Sequence, residues 1–149
     1  GKTTARATQK PAATNTPSST QKPAVSAKPT ATPTPKPPAY RDATSCRSAM
    51  MQGINAARAE KGYDNASTSS SLNSVAQDRA RQMAANQSVS HIGSGYLEAV
   101  GRMNSAGGAY NSGYVCVTMH VRQLLECSQY GIGVAIGQDG KYYYSIIGQ

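Results

Sequence analysis

The chain has 149 residues, of which 15 are Lys or Arg and seven are Asp or Glu, so its formal net charge is +8. Its longest apolar runs are far too short to cross a bilayer, and no Cys-x-x-Cys pair suggests a zinc knuckle. Trp and Phe are both absent, so Leu, Ile, Val, Met and Tyr must form the core; eight of the nine Tyr residues lie after residue 40.

Residues 1–40 differ in composition from the rest of the chain. All eight prolines lie there, every charge before Arg41 is positive, and the apolar residues before Tyr40 are alanines except for Val25. Such a segment buries too little apolar surface to offset the entropy of ordering. We therefore predict a disordered, low-complexity Lys/Thr/Pro-rich linker over 1–40, followed by one domain over 41–149.

The basic charge belongs mainly to this linker. Residues 41–149 carry nine Lys or Arg and seven Asp or Glu, a net charge of only +2. The linker has no basic helix face and no aromatic platform, so binding to nucleic acid is not predicted. A basic tether favours attraction to an anionic surface, such as a phosphate-rich cell-wall polymer. We predict an extracellular or cell-envelope location, and the alternative is a disordered cytosolic tail.

Apolar spacing predicts two helices at the start of the domain. Residues 45–61 form the first, with Ser45 as its expected cap. A polar loop covers 63–71, and the second helix covers 72–86, with Ser70 or Ser71 as its cap. The apolar stripe of the second helix consists of Leu72, Val75, Ala76, Ala80, Met83 and Ala84.

The second half of the domain is predicted to mix helix and strand. In chain order we expect a loop at 88–95, a short helix at 96–106, a strand at 114–119, a helix at 120–127 and strands at 130–136 and 141–147. Asp139-Gly140 between the last two is a hairpin turn signal. This order predicts an α+β fold in which helices cover a small antiparallel sheet.

Three cysteines are present, at Cys46, Cys116 and Cys127. Outside the cell, one disulfide and one free thiol are expected, with Cys116–Cys127 as the first pairing to consider. The alternative is three buried thiols that behave as small hydrophobic side chains.

Five motifs occur in a fixed order over roughly 46–149. They are Asn55-Ala56-Ala57-Arg58, the helix Leu72–Ala84, the Ser90-His91 loop, Arg102-Met103 with Ala106-Gly107, and Gly131–Ala135 with the closing tyrosine strand. Together they resemble the bacterial CAP (SCP-like) domain in a divergent and shortened form. The resemblance implies a secreted three-layer α–β–α sandwich.

Many members of the family that these motifs resemble have a cavity with two His and two acidic residues, which can hold a divalent metal. His91 matches the first family histidine, and the favoured alignment makes His120 the second, whereas in the other alignment His120 has no family role. Tyr114 stands where the first acid is expected. With the carboxylates replaced, the resemblance implies no cofactor beyond Zn²⁺ held weakly by His91 and His120. The other interpretation is that His91 bonds loop backbone and that His120 starts a helix or lies partly exposed.

The residues themselves do not favour catalysis. No serine lies in a Gly-x-Ser-x-Gly elbow, the acids are scattered singly, and Cys116 lies in an apolar segment. We predict a non-catalytic binding or interaction module whose ligand cavity includes His91, His120 and Tyr114, for a small apolar ligand such as a lipid, a glycan or a protein partner. The alternative is a divalent-metal-dependent hydrolase that acts on peptides or envelope polymers through His91 and His120.

Overall fold

A computed structural model describes residues 3, 8, 9, 11–15, 17 and 20–149, and the chain divides into residues 1–35 and 36–149. Every described residue up to Pro35 is exposed and lies outside helix and strand. The disorder of the linker stays a prediction. Part of that prediction lies outside the described residues, at residues 1, 2, 4–7, 10, 16, 18 and 19. Tyr40, which the sequence assigns to the linker, begins the first strand.

Residues 36–149 contain strands and helices in alternation. In chain order these are β1 (Tyr40–Asp42), α1 (Cys46–Glu60), β2 (Ser67–Thr68), α2 (Ser70–Asn86), β3 (Leu97–Met103), α3 (Ala109–Val115), β4 (Gln129–Gly137) and β5 (Tyr142–Gly148). A π-helix at Cys116–His120 continues α3, and short 3₁₀ turns cover Ala106–Gly108 and Arg122–Glu126.

The strands form one small sheet in the order β1-β4-β5-β3, with every pair on this path antiparallel. β2 pairs in parallel with the first residues of β4. The turn between β4 and β5 contains Gly140 with a φ of 74°, a value that favours glycine. The predicted closing hairpin is therefore confirmed.

Helices cover both faces of this sheet. Ile132, Tyr144 and Ile146 point to one side and pack against Met50 and Ile54 of α1. The alternate residues point to the other side, where Tyr143 and Ile147 pack against α2. Gly133 faces α2 closely enough that a Cβ there would lie 2.2 Å from a backbone atom of Ala76. The fold is the α+β three-layer sandwich that the sequence predicts.

Both N-terminal helices lie where their apolar stripes predict; Ser45 holds the predicted cap position of α1 without a capping bond, and the predicted cap of α2 is wrong. Ser45 precedes α1 in helical conformation and makes no capping hydrogen bond with its side chain. α2 begins at Ser70, so Ser69 holds the cap position, again without a side-chain capping bond. Serine-rich stretches therefore give the start of these helices only to within two residues.

Two predicted elements have the wrong type. Residues 97–103 form β3 instead of a helix, because Ala99 and Glu98 are buried on opposite sides of a strand that pairs with β5. Residues 114–119 form the end of α3 and the π-helix instead of a strand. The predicted helix at 120–127 is a 3₁₀ turn at Arg122–Glu126.

All three cysteines are buried free thiols, so the expected Cys116–Cys127 disulfide is not formed. Burial raises the pKa of Cys116 to about 11, although a hydrogen bond with Tyr144 opposes this shift. A thiol with so high a pKa is almost entirely protonated at neutral pH, which makes it a poor nucleophile.

Candidate functional site

A histidine–carboxylate pair lies between the loop that follows α2 and the start of β3. Nδ1 of His91 is 2.7 Å from Oε1 of Glu98. The His91 side chain is 61% exposed, whereas that of Glu98 is only 3% exposed. The imidazole thus reaches solvent while its partner carboxylate belongs to the interior.

Two further side chains hold Glu98 on the α2 side of the sheet. Nη1 of Arg79 and Oγ of Ser145 donate to Oε2 of Glu98 over 2.9 Å and 2.6 Å. Burial raises the pKa of Glu98, but the hydrogen bonds from Ser145, His91 and Arg79, together with the charge of Arg79, outweigh it and leave the pKa below its ordinary value. Glu98 is therefore ionised at neutral pH.

An ionised carboxylate can only accept hydrogen bonds, so Nδ1 of His91 must be the donor. With Nδ1 as the donor, the neutral form of the ring would present Nε2 as an acceptor, which is the orientation that a carboxylate imposes on many functional histidines. Ser145 is buried and donates to Glu98, so it is not placed as a nucleophile for His91. The pair can orient a base or bind a donor group, and within the described residues the side-chain hydrogen bonds of His91 involve Glu98 alone.

His120 and Tyr114 lie on other elements than His91. His120 is exposed and ends the π-helix, whose buried residues Cys116 and Val117 pack into the core on the α1 side of the sheet. Tyr114 lines a pocket of about 350 Å³ in which neither histidine is a lining residue. Its hydroxyl donates to Oε2 of Glu60 over 2.7 Å, and this bond raises its pKa.

The donor set does not fit the divalent metal that the resemblance implies. Within the described part of the chain, no three or more His, Cys, Asp or Glu side chains come together in a way that could hold a metal ion. Tight zinc sites use three or four protein ligands, whereas here Glu98 is already bonded by Arg79, Ser145 and His91. We assign no chemical step to a metal.

A different site, which the sequence did not indicate, lies between α1 and the segment that contains β2. It is a groove of about 560 Å³. Half-buried Met51 and Ala66 supply apolar surface, and hydroxyl and amide groups surround them. The groove is lined by Thr44, Ser45, Arg47, Ser48, Met51, Gln52, Asn55, Ala66, Ser67 and Thr68.

The Asn55-x-x-Arg58 motif of α1 holds the far wall of this groove. The amide of Asn55 bonds both the backbone N–H and the carbonyl of Ala66, at 2.9 Å and 3.0 Å. Nε of Arg58 donates to the carbonyl of Asp64 over 2.8 Å. The two side chains therefore fix the segment 64–66 against α1, and the groove has a defined shape without a ligand.

The fold and its motifs define a three-layer sandwich with a histidine loop between the second helix and the sheet. The sequence matches the cysteine-rich secretory protein (CAP) family over residues 51–148, and the chain belongs to that family. Its members are generally secreted proteins. No curated protein matches the chain. Of the helices that the structure describes, none has both the length and the apolar character needed to span a bilayer.

Proposed function

We propose that this CAP domain is a non-catalytic binding module that takes a small ligand in the groove beside α1. The groove carries the proposal, because its volume of about 560 Å³ lies within the range of ligand sites and its wall combines apolar surface with hydrogen-bonding groups. A ligand with an apolar face and several hydroxyl or amide groups, such as a sugar, has the matching chemistry.

A tryptophan in the groove tests this function. Ser48 is an exposed lining residue, so Ser48→Trp should fill the groove without disturbing the core. We expect N-acetylglucosamine derivatives or octyl glucoside to shift the amide resonances of residues 44–55 and 66–68 in two-dimensional NMR spectra. Ser48→Trp should weaken this binding roughly tenfold or more, because the indole ring occupies the surface that the ligand would bury.

Ala59→Trp is the matched control, since Ala59 is exposed on the same helix and does not line the groove. It should bind like the unaltered protein. Shifts confined to other residues, or equal binding by Ser48→Trp, would contradict the proposal. Micromolar zinc binding that His91→Ala abolishes, measured by calorimetry, would instead favour the metal-dependent hydrolase.

The linker supports a role at a bacterial cell envelope. Its six charges are all positive and are separated by Thr, Ala and Pro, so it can follow an anionic polymer loosely. We expect the chain to sediment with a polyphosphate-bearing wall polymer at low salt and to be released as salt rises towards 1 M, since screening shortens the Debye length to roughly 3 Å. Substitution of Lys22, Lys28 and Lys36 by Gln should lower the salt concentration of release, and unchanged release would contradict an electrostatic tether.

A further inference from the structure

Arg47 lies at the border between the groove and a second, polar pocket of about 280 Å³ on the α2 side. Its Nε donates to the carbonyl of Ile132 over 2.7 Å, which anchors the side chain to β4. Within the described residues, the side-chain hydrogen bonds of Arg47 involve Nε alone. The two terminal amino groups of a guanidinium carry four of its five N–H donors, and these are left for a ligand.

Arg47 is the only charged residue among the ten that line the groove. No acidic side chain of the groove therefore balances its positive charge. In the polar pocket, Asp78 and Arg81 bond each other at 2.9 Å, and Arg81 also bonds Asp42 at 2.7 Å. No carboxylate of the described residues forms an ion pair with Arg47.

Arg47 is also partly removed from water. Its side chain is half-buried, and burial lowers its pKa even though the charge of Asp42 acts in the opposite direction. A cation in this position has lost hydration, and Asp42 compensates only through its charge, without forming an ion pair. An anion that enters the groove would restore the lost interaction through charge-assisted hydrogen bonds, which are stronger than neutral ones.

We propose that the ligand of the groove carries a carboxylate or a phosphate group, which the terminal amino groups of Arg47 bind while the body of the ligand lies along Met51. This inference rests on the proposed function, because it names the chemistry of the ligand for the same groove. The planar guanidinium matches the paired oxygens of either anion.

Three sugars with one ring but different charge test the proposal. N-acetylglucosamine is neutral, N-acetylmuramic acid adds a carboxylate, and N-acetylglucosamine 6-phosphate adds a phosphate. We expect at least one anionic sugar to bind roughly tenfold to hundredfold more tightly than the neutral one, as a hydrogen bond to a charged group predicts. Arg47→Gln should abolish this preference, and Arg47→Lys should keep part of it.

Arg122→Gln is the matched control. It also removes one positive charge and one Nε hydrogen bond to a carbonyl, in this case that of Thr118, but it lies outside the groove. Its preference for anions should match that of the unaltered protein. Equal affinity for the carboxylate and phosphate sugars supports the proposal, and clearly tighter binding of one of them identifies the anion.

The outcomes separate the two proposals. If neutral and anionic sugars bind alike and Ser48→Trp weakens both, the groove is the site but the anionic ligand is wrong. If the preference survives Arg47→Gln, Arg47 does not provide it and the inference is overturned. If none of the three sugars nor octyl glucoside binds, both proposals fall.

Discussion

Replacement of Arg58 by methionine is expected to lower the free energy of unfolding by about 3 kcal/mol or more. Arg58 is 6% exposed, and its guanidinium donates to the carbonyls of Asp64, Leu125 and Cys127. Methionine keeps much of the volume but none of the donors. Each buried carbonyl left without a partner costs about 1–3 kcal/mol, so the loss of three should exceed the cost of most core substitutions.

Urea unfolding followed by circular dichroism measures this loss. The free energy of unfolding of Arg58→Lys should lie between those of the unaltered protein and Arg58→Met. One ammonium group keeps the charge but does not reproduce the planar guanidinium that reaches three carbonyls. Arg122→Gln, at an exposed arginine, should stay within about 0.5 kcal/mol of the unaltered protein. A loss below about 1 kcal/mol for Arg58→Met would mean that these carbonyls are readily solvated.

The effect should be global, because Arg58 joins segments distant in sequence. It stands in the last turn of α1, and its carbonyl partners lie in the loop before β2 and in the segment that leads into β4. The ring of Tyr130 on β4 lies 5.9 Å from the guanidinium carbon, and the Tyr130 hydroxyl accepts from Nη1 of Arg58 at 3.2 Å. One side chain thus connects a helix, two loops and the sheet.

Sequence patterns predicted the two helices whose burial is one-sided and regular, and the hairpin whose turn carries its own signal. α1 and α2 each bury one stripe, and Met50, Ile54 and Ala57 follow it in α1. The β4–β5 hairpin was recognised because its turn needs a positive φ at Gly140. For such elements, local periodicity and tertiary packing require the same residues.

β3 lacked a regular apolar pattern and a turn signal of this kind. In β3, Glu98 and Ala99 are neighbours and both buried, since helices cover both faces of the sheet at this point. Alternation of polar and apolar residues disappears in a strand of this kind. In α3, the missing side chain of Gly113 lets the helix cross α1, where a Cβ would lie 2.1 Å from the carbonyl oxygen of Met50.

Two sequence assignments concealed the partner of His91. The alignment with the family motif places Tyr114 where the first acid is expected, and residues 96–106 are predicted to form a helix. If residues 97–103 are assigned to a strand, Glu98 lies directly after the histidine loop as a buried acid, and a buried acid requires a cation. Arg79, on the apolar side of α2, is that cation. The groove had no local signal, because its walls come from two segments that tertiary contacts bring together.

Replacement of Glu98 by leucine is expected to cost about 3 kcal/mol, because it leaves the charge of Arg79 buried without its carboxylate. Leucine also removes the acceptor for Ser145 and His91. Asp78→Leu removes an acid paired with an arginine on the same helix, but its side chain is 66% exposed, so it should cost less than about 1 kcal/mol. Urea unfolding at pH 7 compares the two.

A second substitution and a change of pH establish whether the buried charge is the cause. Arg79→Met combined with Glu98→Leu should recover about half of the loss, since an apolar pair can replace a buried ion pair. The pKa of Glu98 is lowered in the folded protein, so its contribution is complete above the ordinary value of 4.5 and disappears as the pH falls below it. The difference between the unaltered protein and Glu98→Leu should therefore shrink below pH 4.5. A difference that stays constant from pH 7 to pH 3, together with no recovery in the double variant, would attribute the loss to the shape of leucine instead of to the unpaired charge of Arg79.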